Sequence, residues 1–317
     1  MPASSDPNRS YAAAHFALEL DGSPNVGLFR SIEGGGVRTD VMSYVTNGGP
    51  VYDRWRQLGK PKFEDIKLQV GMAMSEPFYA WIANFFKGVV DRKTGSIVAA
   101  DFYYKERARR QFTSAMIKEL TFPTLDGKDT KAAYMTVGFS VEDIHFQKGT
   151  GAKLAPPNGF DSQKLWTACN FRFTLSGFEP YCTRTSKIDS FTVKQNVIEY
   201  HMGGQLAPIK TPSAIDFPNI AFYVPEADAF PFMDYFTNKT QLSTKSDKPA
   251  GSASKLNGSI VTYDNSGSNL FTLSFTGADI FSVSPDRSDS STEEIKNVKI
   301  ELYTESMSFE YAAFEVM

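Results

Sequence analysis

The chain has 317 residues, a formal net charge of -3, and hydrophobic residues at 41% with aromatic residues at 14%. That length allows about two domains, each with its own apolar core, and the composition excludes a low-complexity or disordered polymer. The charge is mildly basic in the first half and acidic in the second, which leaves no electrostatic footprint for nucleic acid.

Two cysteines, Cys169 and Cys182, are too few for a disulfide-stapled secreted protein. Met1 to His15 carries Asp6 and Arg9 and lacks an apolar stretch, so no signal peptide is expected. No apolar run reaches the length of a membrane span. The expectation is a soluble chain made in a reducing cytoplasm, with no membrane insertion.

The first expected strand alternates Phe16, Leu18 and Leu20 with Ala17, Glu19 and Asp21 and stops at Gly22. A second strand carries Phe63, Ile66, Leu68 and Val70. Ser75-Glu76-Pro77 then opens a helix. Phe78, Trp81, Ile82, Phe85 and Phe86 recur at helical spacing as one apolar face, and Gly88 supplies the stop. Met135, Val137 and Phe139 form a last strand. The glycine- and proline-containing stretch Gln147 to Lys164 reads as a linker.

Beyond it the series begins again. Phe171, Phe173 and Leu175 end at Gly177, and Phe217, Ile220, Phe222 and Val224 match the second strand. Asp228 to Phe236 keeps Phe232, Met233 and Phe236 but carries Pro231, and is expected to be a shorter, degraded copy of the helix. Ser243 to Asn257 is expected to be an exposed inserted loop. Val298, Ile300 and Leu302 answer the last strand.

Gly95-Ser96-Ile97-Val98 can be laid on Gly258-Ser259-Ile260-Val261 and extended without a gap. Asp101 then meets Asp264, Phe112-Thr113 meets Phe275-Thr276, Glu142 meets Glu305 and Phe146 meets Phe309. A period of about 160 residues is domain-sized and indicates a tandem pair. The expected fold is mainly β with one helix per domain. A first barrel or sandwich spans 1–148, a linker 149–164, and a diverged second copy 165–317.

Residues for chemistry are few. His15, His145 and His201 are isolated, with no second His or Cys at metal-ligand spacing. Cys169 and Cys182 form no CxxC motif and are read as free thiols. Gly34-Gly35-Gly36 is followed by no Gly-Lys-Ser/Thr and reads as hairpin glycine. The basic cluster Lys105, Arg107, Arg109, Arg110 reads as a solvated hairpin, and Asp101 and Asp264 as carboxylates bonding turn amides. No catalytic residue, metal site or cofactor is expected, and the chain is read as a non-enzyme.

Phe16 to Leu20, Val26-Gly27-Leu28-Phe29 and Ser31-Ile32-Glu33-Gly34-Gly35-Gly36 begin a longer series. It continues through Gly59-Lys60-Pro61-Lys62-Phe63-Glu64-Asp65-Ile66, Gly71 to Ser75, Phe78 to Ile82, Gly95 to Val98 and Lys118 to Pro123. Over residues 15 to 146 this resembles the contractile phage tail tube proteins and their injection-system relatives. The second half keeps the strand framework but loses the Glu-Gly-Gly-Gly loop, where Ile188-Asp189-Ser190-Phe191 stands, and the Gly-Lys-Pro approach.

The resemblance implies a tube-type β-barrel with a flanking helix, six barrels to a ring, and rings stacked inside a sheath. The Ser31 to Gly59 connection corresponds to the family's extended loop, which reaches neighbouring subunits. Glu33, Gly34, Gly35, Gly36, Tyr44, Tyr52, Trp55 and Arg56 are the candidate ring-interface residues, since aromatic and Arg side chains are common interface anchors.

With two barrels per chain, three chains would close a pseudo-hexameric ring. Implied partners are further copies, adjacent rings and sheath, baseplate or hub proteins, with cargo or DNA in the lumen bound without sequence specificity. The mature location is the phage tail or phage-tail-like particle, after assembly in the bacterial cytoplasm. A baseplate-proximal hub, tube initiator or tube-end adapter is the alternative, favoured by the degraded second loop. A β-fold enzyme or glycan-binding module is a remote one.

Overall fold

The computed structural model describes residues 15–46, 53–72, 74–154, 165–203, 208–245, 255–286 and 295–312. Most of the expected linker, the central part of the Ser243 to Asn257 loop, and Gly48, Gly49 and Tyr52 lie outside the described residues.

The first half runs β1 (His15–Leu20), β2 (Ser23–Phe29), β3 (Ser31–Gly34), β4 (Val37–Thr46), β5 (Asp53–Phe63), β6 (Ile66–Val70) and α1 (Glu76–Phe86). It continues with β7 (Lys93–Ala100), β8 (Glu106–Phe122), β9 (Leu125–Asp126), β10 (Met135–Ser140) and β11 (Asp143–Lys148). The second half runs β12 (Phe171–Leu175), α2 (Glu179–Cys182), β13 (Lys187–Ile188), β14 (Phe191–Tyr200), β15 (Ile209–Asp216) and β16 (Ile220–Pro225). A 3-10 turn (Glu226–Asp228) leads to α3 (Phe230–Lys245), followed by β17 (Leu256–Tyr263), β18 (Asn269–Pro285), β19 (Asn297–Tyr303) and β20 (Ser306–Tyr311).

The first sheet is ordered β2-β1-β7-β8-β10-β6-β3. Because β2 leads into β3 through Arg30, whose N–H bonds Gln69 O at 2.9 Å, the two ends of this path meet and the barrel is nearly closed. The second sheet follows β12-β17-β18-β19-β16-β13, with α2 where the first half has β2.

Registers coincide residue by residue. Gly95 faces Phe112 as Gly258 faces Phe275, and Val137 faces Leu120 as Ile300 faces Val283. Even the bulge recurs: Ile117 and Glu119 flank it in β8, and Ile280 and Ser282 in β18. Gly95 and Gly258 are required by packing. A Cβ would stand 2.0 Å from Glu19 O in one case, and 2.4 Å from Thr174 O and the Phe275 ring in the other.

The apolar face expected for the helix is the one α1 buries, with Phe78, Trp81, Ile82, Phe85 and Phe86 all in the core. The second helix differs from expectation. At 16 residues α3 is longer than the 11-residue α1. Pro231 is its second residue, where a missing N–H costs nothing, so it starts the helix instead of breaking it.

The core is continuous across the two halves. Phe86 of α1 stacks on Phe309 of β20 at 5.9 Å, Tyr79 on Tyr311 at 5.6 Å, and Phe122 on Phe191 at 5.1 Å. The topological twin of Phe309 is Phe146, which is 60% exposed where Phe309 is 3%. Phe309→Ala should therefore cost about 3–5 kcal/mol, and Phe146→Ala less than about 0.5 kcal/mol. Denaturant midpoints of the two variants check this.

Candidate ring interface

The second half keeps a long hairpin although the Glu-Gly-Gly-Gly loop at its base is lost. β14 and β15 pair with the register of β4 and β5: Tyr44 faces Trp55 as Tyr200 faces Ile209, and Ser43 faces Arg56 as Glu199 faces Lys210. Both hairpins carry a bulge at the same place, after Thr39 and after Gln195. What changed is the chemistry at the base. Gly34 and Gly35 adopt φ of +80° and +73°, and a Cβ on Gly34 would stand 2.0 Å from Asp65 O. At the corresponding turn Ser190 bonds Phe122 O through its hydroxyl at 2.9 Å and Phe191 packs as a core ring. Loss of the glycines thus accompanies a docked hairpin and not a missing one.

That docking is the central geometric fact. Phe191, Thr192, Val193 and Lys194 pair antiparallel with Phe122, Thr121, Leu120 and Glu119 of β8, extending the first half's sheet by two strands. The Thr192 and Thr121 hydroxyls lie 2.8 Å apart, as cross-strand neighbours do. Farther along, Lys210 is 4% exposed and its ammonium bonds Ser140 Oγ at 2.8 Å. The Lys210 N–H donates to Glu142 Oε1 at 2.9 Å, and its carbonyl accepts from Arg92 at 2.5 Å. β13 adds a second short pairing, Lys187 with Asp126 and Ile188 with Leu125.

Among the described residues the first half's hairpin has no such seat. β4 and β5 form an isolated two-stranded sheet. Tyr44 is 51% and Trp55 66% exposed, and Arg56 and Glu33 are exposed, whereas Gly35 is buried at the base. Tyr44, Trp55 and Arg56 therefore share the projecting β4–β5 ribbon, while Glu33 and Gly34 belong to β3 of the first sheet and Gly35 and Gly36 form the turn between β3 and β4. Sequence reasoning missed Lys210, the twin of Arg56, because a lysine gives no apolar signal. It also missed the pairing edge of β8.

The remaining candidates resolve as structural groups. Asp101 Oδ1 accepts the N–H groups of Tyr103 and Lys105, and Asp264 Oδ1 those of Ser266 and Ser268. Arg107 pairs with Asp101, Arg109 with Glu19 and Glu106, and Arg110 Nη1 bonds Gly34 O at 3.2 Å. The arginines of the basic cluster are thus engaged within the fold. His15 stacks on Tyr104 at 3.9 Å. Cys169 and Cys182 are free thiols, and burial pushes that of Cys182 up to about 12. Among the described residues no His, Cys, Asp or Glu group is arranged to hold a metal, and no helix is long and apolar enough to cross a membrane.

The chain is mostly β, with a near-closed barrel and a projecting hairpin. Residues 12–145 match the family model described as T4-like virus tail tube protein gp19. Solved structures with similar chains include the anti-feeding prophage baseplate, at 12% identity over 44% of this chain and 89% of that one, TM-score 0.32. Another is the extended PVC sheath–tube complex of an extracellular contractile injection system, at 15% identity over 45% and 89%, TM-score 0.32. The sheath/tube terminator of that system matches at 16% identity over 44% and 93%, TM-score 0.33. Comparison with curated protein sequences finds no match.

If the ribbon is an assembly contact, replacing Trp55 and Arg56 together with Ala should impair assembly while the monomer's stability changes by less than about 0.5 kcal/mol, because both side chains are exposed. Sizing and thermal melts of the double variant check both halves of that statement.

Asp65 supplies a pH test of the seat beside Lys210. Burial would raise its carboxyl. The Lys118 ammonium at 2.7 Å, the Ser140 hydroxyl and the charges of Lys118 and Lys210 outweigh burial and hold it below the usual carboxylate range. Its contribution is complete above the unfolded value of about 4 and is lost as pH falls through the lower folded value. Asp65→Asn should therefore lower the Tm at neutral pH, and by progressively less as pH falls below about 4.

Proposed function

We propose that the chain is a structural subunit of the inner tube of a contractile phage tail or phage-tail-like injection system, with three chains forming a pseudo-hexameric ring around a lumen. In this reading residues 1–148 and 165–317 are two tube-type barrels joined by 149–164. Its partners are further copies, adjacent rings and sheath or baseplate proteins. Cargo or DNA in the lumen is passed without sequence-specific binding.

The observation that carries this reading is the lateral junction inside the chain. The second half lays its hairpin on the first half's sheet, while the first half's own hairpin has no strand partner among the described residues. A junction used once, with its two complementary surfaces left over at opposite ends, is a head-to-tail contact, and such contacts close into rings when the rotation fits.

A low-copy adapter at the baseplate or tube end is the second reading. The α2-for-β2 exchange supports it, because alternate barrels would then present different surfaces and give the ring a threefold face. Native mass spectrometry of assembled rings should give the mass of three chains, and a six-chain ring would contradict the proposed count. Quantitative copy number per particle separates the readings: many rings' worth for a tube body, a few chains for an adapter.

A further inference from the structure

The junction within the chain has a twin, and among the described residues neither of its two sides has a strand partner. The edge of β8 that receives β14 consists of Glu119 to Phe122. Its counterpart by register is Ser282 to Pro285 of β18, since β19 pairs with those residues as β10 pairs with Glu119 to Thr121. Among the described residues no strand occupies the other edge of β18 there. Leu120 and Phe122 are buried under β14, whereas Val283 is only half-buried and Pro285 exposed.

On the other side, Gly35 to Arg38 correspond to Phe191 to Lys194; Gly35 and Gly36 bond Asp65 and Glu64, and among the described residues no strand pairs with the edge of β4 away from β5. An open strand edge is a template for a second chain. Two further contacts repeat the pattern. Glu142 and Arg92, which clasp Lys210, have as counterparts the ion-paired Glu305 and Lys255, while Lys210 itself answers to Arg56. Phe309, seated on α1, answers to the exposed Phe146, and α1 answers to α3.

We propose that Gly35-Gly36-Val37-Arg38 of one copy pairs antiparallel with Pro285-Ser284-Val283-Ser282 of a second copy. Gly36 then stands opposite Ser284 and Val37 opposite Val283. In the same contact Arg56 reaches the Lys255–Glu305 pair and Phe146 is covered by α3. This rests on the ring reading and adds which strand meets which, and in what register.

Cysteine pairs test it. The intrachain twin of Gly36–Ser284 is Thr192–Thr121, whose hydroxyls touch. Thr121→Cys with Thr192→Cys should therefore close within one chain on mild oxidation, and calibrates the geometry. A Cβ on Gly36 would approach only the end of the exposed Glu64 side chain, at 2.6 Å, which can swing aside, so the substitution is tolerated. Gly36→Cys with Ser284→Cys should give disulfide-linked dimers and trimers on a non-reducing gel.

Either substitution alone should give none, and Gly36→Cys with Val283→Cys, whose side chains point to opposite faces, should not cross-link. If native mass spectrometry finds three-chain rings and the calibrating pair closes but Gly36→Cys/Ser284→Cys does not cross-link, the strand pairing is wrong and the ring reading stands. A covalent ladder reaching six chains keeps the pairing and removes the three-chain count. Neither rings nor cross-links would overturn both.

Discussion

Backbone pairing between Phe191–Lys194 and Glu119–Phe122 is the contact on which the rest of the architecture depends. It places β14 and β15 on the first half's sheet, and so brings Lys210 to Ser140 and Glu142, β13 to β9, and β20 to α1. Each pairing bond has a modest net value of about 1 kcal/mol. The aromatic cluster behind them supplies the larger burial: Phe122 with Phe191, Phe271 and Phe309, and Trp166 against Phe271. Hydrogen bonds set the register, and the rings supply most of the stability.

The two versions of this junction are unequal. In register, the counterparts of Phe122, Phe191 and Phe271 are Pro285, Gly35 and Ala108, so the open version lacks most of the aromatic layer. A permanent junction inside one chain therefore has the composition of a core, while the one proposed between chains has that of an exposed surface that meets its partner after folding. Glycines at the base of β4 suit this division, since they let the ribbon leave the barrel without burying a side chain.

Much of this architecture was legible in the residues. Period-two alternation marked β1, β12, β6, β16, β10 and β19, and the spacing of Phe78, Trp81, Ile82, Phe85 and Phe86 marked α1. The gapless match from Gly95 and Gly258 marked the repeat, because a Phe ring over each glycine leaves no room for a side chain. The second hairpin was not legible. Lys210 is buried where Arg56 is exposed, and Phe191 packs as a core ring where Gly35 makes a tight turn, so the two hairpins look unlike in sequence. Pro231 was misread because a proline in a helix's first turn and a proline that breaks one differ only in where the helix begins. Among the candidate interface residues, Arg56 holds the register position of Lys210, which is buried in the intrachain junction, whereas Arg56 is exposed.

The most direct measurement is a cryo-EM map of the assembled ring with the chain traced through it. The account predicts threefold symmetry with six barrels. The hairpins would alternate around the ring between β14–β15 seated on β8 of the same chain and β4–β5 seated on β18 of the next. A sixfold ring of whole chains, or a ring in which β4–β5 touches no β18 strand, would contradict it.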